Sequence, residues 1–379
     1  MTAPISKEPF KGLDGAIAVQ SGICRLSAED GRLSYRGYDV GELAANSTYE
    51  ETAYLLIDGH VPSRAELRAF EQEVKGFRKI SPAVHKAIKA APVGADPMAA
   101  LRSAIATAAF EDAVAVPPSA EAARRQGLRL LGQLPTMVAA YHRRRAVQRA
   151  VTPKKSLSYA ANFLYMMSGE APSTEAERAL DAALILRADN ELNPSTFAAR
   201  VTAATGADVY GSVSAALSAL AGPRHGWHAK SVLHLLEDIG GADKVPGWVR
   251  GRLESKGRIA GFGHQVYQGE DPRTPFLRSL AEARCEATGF GALFRTAQAL
   301  EAEVVRTSGQ HPIVDFYLAP LYRALGIPGD TFTAVFAVSR ISGWIAHILE
   351  QYGDERLIRP RAEYTGPVDL QYRPARRRR

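Results

Sequence analysis

Three polar segments interrupt apolar surroundings, and each holds one titratable residue among glycines, prolines or aromatics. They are Ala221-Gly-Pro-Arg-His225-Gly226, Gly261-Phe-Gly-His264 through Asp271-Pro-Arg273, and Pro312-Ile-Val-Asp315-Phe-Tyr317. Histidine and carboxylate are the residue types of general acid–base chemistry. Spacing alone leaves a plainer reading open for each. Either histidine reads equally as a hydrogen-bonded core or loop residue, and Asp315 as a helix-start carboxylate favoured by the helix dipole. His225 and His228 are three apart and could share a helix face, but no carboxylate or thiol is placed to complete a metal site, so none is expected. There is no Gly-x-x-x-x-Gly-Lys-Ser/Thr loop and no Gly-x-Ser-x-Gly elbow. Gly261-Phe-Gly263 is only a fragment of a dinucleotide fingerprint.

The elements that must position these residues are mostly helical. Leu67, Phe70, Val74 and Phe77 recur at spacings of three and four, which predicts a helix over 64–79. Thr174-Glu-Ala-Glu177 has capping-box spacing and predicts a helix with Leu180, Leu184 and Ala188 on one face. Asn193-Pro194 sets a capping residue before a proline suited to a first turn. Further helical stretches run over 212–220, 281–288, 297–307 and 330–350. By contrast, 16–21, 23–26 and 33–35 read as short extended pieces, with Asp30-Gly31 as a hairpin-type turn. The Arg143-Arg-Arg145 run, Lys154 and Lys155 read as solvated helix ends. The fold class expected is mainly α with a small N-terminal β element.

Length and charge set the outer bounds. The 379 residues can bury a large core and divide into two domains. The formal charge is +7, but five arginines fall within residues 373–379, and without them 42 basic residues face 40 acidic ones, a net of +2. The basic character is mostly a tail, which reads as a solvated terminus and not as a nucleic-acid or membrane contact. Cys24 and Cys285 are too few for a disulfide framework and read as reduced thiols. The acids near the N-terminus argue against a targeting leader. The most apolar stretch, 331–349, contains Arg340 near its middle, and an arginine at a membrane centre costs about 2.5–3.5 kcal/mol. It reads as a buried core helix. Cytoplasmic location follows as the expectation.

Taken in order, the motifs resemble the citrate synthase family over nearly the whole chain. They are Gly31-Arg-Leu-Ser-Tyr-Arg-Gly-Tyr-Asp39, Glu51-Thr-Ala-Tyr-Leu-Leu56, Leu134-Pro-Thr-Met-Val-Ala-Ala-Tyr141 and Glu191-Leu-Asn-Pro-Ser-Thr-Phe197. The three polar segments come next, then Ser339-Arg340, Gly343-Trp-Ile-Ala-His347 and Ile358-Arg359-Pro-Arg-Ala-Glu-Tyr364. The length suits the family's shorter, dimeric form.

The resemblance implies the tricarboxylic-acid-cycle condensation of acetyl-CoA with oxaloacetate, followed by thioester hydrolysis. It assigns Asp315 as base, His225 as donor to the thioester oxygen and His264 as donor and acid to the ketone. Arg273 and Arg340 match the carboxylate clamps, and Arg359 the arginine contributed across a homodimer interface. No metal and no permanently bound cofactor are implied; acetyl-CoA or propionyl-CoA is the cosubstrate. The implied fold has a large helical domain over 1–224 and 323–379, a small one over 225–322, and a site between them. A 2-methylcitrate synthase, a related condensing paralogue with altered specificity, and a catalytically weak dimeric scaffold are the alternatives.

The sequence departs from the family pattern at three places. Asn190 stands where the family usually has a histidine that contacts the oxo-acid, and an amide cannot carry a proton charge. Gln265 and Gln268 stand where basic residues are common, and position 268 usually assists coenzyme A binding. Trp227 adds bulk next to His225, where it either narrows the acyl pocket or packs against a helix.

Overall fold

The computed structural model describes residues 11–372 apart from 14, 28, 113–116, 265 and 268. Gln265, Gln268 and the 373–379 tail therefore lie outside the described residues. Within them the chain forms sixteen α-helices and one three-stranded antiparallel sheet. The mainly helical class expected from the sequence is the one found.

The sheet consists of Cys24–Ser27, Arg32–Tyr35 and Tyr38–Asp39, with Cys24 opposite Tyr35 and Ser27 opposite Arg32. The stretch 16–21 is not a strand: it has no pairing partner there. Tyr35 is fully buried and its hydroxyl donates to the carbonyls of Ile185 and Asp189, so the small sheet props the end of the helix Thr174–Leu186.

The helix Phe332–Asp354 is the axis of the molecule. It packs against Ala120–Arg145, Pro194–Ala203, Val209–Leu220 and Tyr49–Asp58. It is apolar and long enough to cross a membrane, but 94% of its most apolar window is buried inside the protein. Each large aliphatic or aromatic side chain buried this way stabilises the fold by about 1.5–3 kcal/mol, so the hydrophobicity is accounted for by the core.

Five later helices, His228–Ile239, Val245–Glu254, Thr274–Ala287, Gly291–Ser308 and Val314–Ala324, pack mainly on one another. They meet the rest where His228–Ile239 touches the axial helix and Thr274–Ala287 touches Thr174–Leu186.

Local sequence signals set some helix starts, and tertiary partners override others. Asn193 caps Pro194–Ala203 by accepting from the amides of Ser195 and Thr196, with Pro194 in the first turn. The capping box expected at Thr174 is not formed: Ser173 is the cap, accepting from Ala176 N, and Glu177 instead accepts from Ser158 Oγ. Serine one residue earlier offers the same hydroxyl, and the tertiary partner claims the glutamate. The arginine run 143–145 is not simply solvated either. Arg143 donates to the carbonyls of Arg149 and Met167, and Arg145 pairs with Asp330. Cys24 and Cys285 are buried free thiols.

Candidate active site

The second and third polar segments fold onto each other. Gly261 and Gly263 both adopt positive φ, +87° and +80°. A Cβ on Gly261 would stand 2.6 Å from Val232 and 2.8 Å from Phe316, so only glycine allows this approach. Gly263 N donates to His311 O and Ile313 N to Gly261 O, which fixes the His264 turn against the start of the helix Val314–Ala324. Asp271 completes the tie by accepting from Val314 N. Asp315 is thereby presented in the first turn of that helix, buried.

His264 is held in one tautomer. Its Nδ1 accepts from Val266 N and Tyr267 N, both at 3.0 Å. A neutral ring must then carry its proton on Nε2, where it can donate. Burial, reinforced by the Arg273 charge, pushes its pKa below the ordinary range, which keeps the ring neutral.

His225 sits in the turn between Val209–Leu220 and His228–Ile239, tied to the axial helix because Thr333 Oγ1 donates to Gly226 O. Its Nε2 lies 2.8 Å from Ser195 Oγ. That hydroxyl also accepts from Trp344 Nε1 at 3.2 Å and stands 2.7 Å from Asn193 Oδ1. Burial first, then the charges of Arg340 and Arg187, pushes the His225 pKa down to about 3. Both histidines are within electrostatic reach of Asp315. The three residues singled out in separate segments therefore share one neighbourhood.

The arginines differ sharply. Arg273 is buried and closed in a pair with Asp271, Nε to Oδ1 at 2.8 Å and Nη2 to Oδ2 at 2.7 Å. Arg340 is only 2% exposed; its Nε donates to Arg187 O at 2.8 Å, while Nη1 has no hydrogen-bond partner among the described residues. Burial lowers its pKa to about 10, so the cation persists at neutral pH without a direct counter-charge. A buried guanidinium in this state is poised for an anion. Arg359 is not among them: it is exposed on the C-terminal arm 355–372, which has no regular structure and leaves Leu357, Tyr364, Val368, Leu370 and Tyr372 exposed.

Asn190 follows Asp189 in the turn after Thr174–Leu186, and its Oδ1 is buried without a partner among the described residues. The turn is strained, with Glu191 at φ +53°. Asp189 is fully buried 3.2 Å from His347 Nε2, and His347 Nδ1 in turn lies 3.0 Å from Arg200 Nη1. Gly343 allows this contact: a Cβ there would be 2.4 Å from Ala188 O. Trp227, by contrast, is 38% exposed with Lys230 Nζ 5.2 Å from its ring, so it lies largely outside the buried cluster.

Two residues that sequence reasoning did not assign complete the neighbourhood. Arg187 places Nη2 2.9 Å from Asp315 Oδ1, as an ion contact without hydrogen-bond alignment. Phe336 gathers three partners: Arg187 Cζ 3.5 Å and Arg340 Cζ 4.8 Å from its ring centroid, and the His225 ring edge-on at 5.8 Å. A signal for Arg187 was available, since a charged residue directly after the apolar run Ala182–Leu186 needs a buried partner. Phe336 gave none, because an aromatic in an apolar helix reads as core.

Comparisons with known proteins converge. Residues 12–361 match the family described as citrate synthase, C-terminal domain. The chain is 41% identical to a citrate synthase of Haloferax volcanii, covering 98% of this chain and 99% of that one. It is 40% identical to citrate synthase 2 of Bacillus subtilis, covering 97% and 99%. It superposes with a TM-score of 0.93, at 31% identity over 98% of this chain and 100% of the other, on the citrate synthase of Thermoplasma acidophilum solved with carboxymethyl coenzyme A and oxaloacetate.

Proposed function

The chain belongs to the citrate synthase family, and from that premise we propose how its own residues carry the reaction. It condenses acetyl-CoA with oxaloacetate and hydrolyses the thioester to citrate and CoA, a step of the tricarboxylic acid cycle. Acetyl-CoA is a cosubstrate, and no permanently bound cofactor is needed.

Asp315 takes a proton from the acyl α-carbon, and the electron pair moves toward the thioester oxygen. His225 donates to that oxygen. Ser195 Oγ, which donates to Asn193 Oδ1 at 2.7 Å, lies 2.8 Å from His225 Nε2 and orients the ring. The resulting enol carbon attacks the ketone of the oxo-acid, and His264 Nε2–H protonates the oxygen that forms. Arg340, with its unpartnered Nη1, takes a substrate carboxylate. Arg273, steadied by Asp271, and Arg359 of a second subunit take the remaining anionic charge, and Asn190 donates through its amide. Gln268 is assigned to coenzyme A binding by its place in the sequence motif alone.

The observation that carries this reading is the His264 turn bound to the start of the Asp315 helix, with Asp315 electrostatically coupled to both histidines and the His264 proton confined to Nε2. The small domain is taken as 225–322, closing over the site against 1–224 and 323–379 and excluding water. The apolar residues of the arm 355–372 support a homodimer that buries them. Buried unpaired thiols suit the cytoplasm.

Thiol release with acetyl-CoA and with propionyl-CoA, each against oxaloacetate, tests the reading. Release with acetyl-CoA that vanishes in Asp315→Asn supports it. Faster release with propionyl-CoA would identify a 2-methylcitrate synthase, and no release with either would leave a dimeric scaffold. Asn190 favours a second reading, a changed oxo-acid, which the same assay resolves when other 2-oxo acids replace oxaloacetate.

A further inference from the structure

Asp315 is a buried carboxylate with no hydrogen bond to either oxygen among the described residues; its Oδ1 is fully enclosed. The charge that faces it is Arg187, Nη2 to Oδ1 at 2.9 Å. Arg187 is itself held from three directions. Its guanidinium lies over Phe336, Cζ 3.5 Å from the ring centroid. Its amide donates to Leu184 O at 3.3 Å. Its carbonyl accepts from Arg340 Nε at 2.8 Å. It is 2% exposed, and its Nε has no partner among the described residues. A guanidinium kept in apolar surroundings at this cost, with one face stacked and one edge on a carboxylate, has little freedom to point elsewhere.

We propose that Arg187 is the positioning residue of the base: it engages Asp315 Oδ1, so that Oδ2 is the oxygen left to take the acyl α-proton. The inference rests on Asp315 being the base. A carboxylate on a short side chain rotates between its two oxygens, and a fixed partner on one of them removes that freedom. Misplacement of a reacting group by about 1 Å can cost on the order of 100-fold in rate. Arg187 touches no reacting atom in this scheme. Because Arg340 Nε also bonds the Arg187 carbonyl, the oxo-acid cation and the base partner share one rigid unit on Phe336.

The test follows the proton directly. Exchange of the acetyl-CoA methyl protons in D2O, with malate holding the oxo-acid site, reports the base without the condensation. Arg187→Met keeps the stem and removes the charge; Arg187→Lys keeps charge without the planar fork and guards against a Met variant that fails to fold. Expected are exchange and kcat lowered by about 10- to 100-fold in Arg187→Met, partial recovery in Arg187→Lys, and KM for oxaloacetate within about twofold of wild type. Exchange within about twofold of wild type in the folded variants, faster exchange, or a loss confined to KM would overturn the proposal. Asp315→Asn is the separate control: if it retains exchange, the base assignment itself falls, whatever Arg187 does.

Discussion

Asp271 and Arg273 close on each other as a bidentate pair with both side chains buried. Asp271 is therefore more than a neighbour of the carboxylate clamp, since it also receives Val314 N at the head of the base helix. Burial alone would raise the Asp271 pKa, but the Arg273 charge and hydrogen bonds outweigh it and hold the carboxyl below its ordinary range. A depressed carboxyl adds stability above its unfolded pKa, near 4, and loses that contribution as pH falls. Asp271→Asn should cost about 3–5 kcal/mol at neutral pH, because Arg273 is left buried and unpaired. Urea unfolding across pH should show that deficit shrinking below about pH 4; a deficit equal at every pH would remove the pair from the account.

His225 remains neutral until about pH 3. An unfolded histidine protonates near 6.5, so this group makes the folded enzyme progressively less stable as pH falls below that value. His225→Gln should lose less unfolding free energy than wild type between about pH 7 and pH 5. Ser195→Ala keeps the imidazole but frees its orientation, and should lower kcat by about 10-fold or more while leaving KM for oxaloacetate nearly unchanged. An unchanged kcat would show that Ser195 does not orient the ring.

Arg340 is a buried cation whose Nη1 lacks a partner among the described residues, as the proposed carboxylate clamp requires. Oxaloacetate at about 100 times its Kd should stabilise the wild type by about 2.7 kcal/mol in thermal unfolding. Arg340→Met should abolish that protection with little change in the stability of the ligand-free enzyme, since relief of a buried charge offsets the loss of its hydrogen bond to the Arg187 carbonyl. Protection surviving in Arg340→Met would reassign the clamp.

Arg359 tests the proposed dimer. Asp315→Asn and Arg359→Ala, each inactive alone, are co-expressed. A subunit that lends Arg359 to its partner gives each mixed dimer one intact site, so about a quarter of wild-type activity should return. If Arg359 serves its own subunit, no mixed site is intact and nothing returns.

Asn190 offers a neutral amide where an oxo-acid is to be held, with its Oδ1 unpartnered. Asn190→His should lower KM for oxaloacetate by about 10-fold, the scale of one added charge-assisted hydrogen bond. An unchanged KM with the same preference among oxo-acids would end the idea that this position limits binding.

Much of the site was legible because its residues sit in breaks of an apolar pattern. His225, His264 and Asp315 stand beside glycine and proline, and local chemistry alone requires those turns. Asn193-Pro194 announced its own helix start. Arg187 and Asp271 were harder, because their roles come from partners 128 and two positions away in the chain and depend on which faces meet. Phe336 is unreadable in sequence, since a buried phenylalanine looks the same whether it fills space or carries two guanidiniums. The failed capping box at Thr174 shows the same limit: Glu177 had the right spacing, and Ser158 competed for it from another element.

Gly343 has a bearing on how this pocket can change. It brings the axial helix against the main chain of Ala188 with no room for a side chain. This contact pins the main chain of the turn 187–191, so a change of oxo-acid preference there is left to side chains such as Asn190 and not to backbone movement.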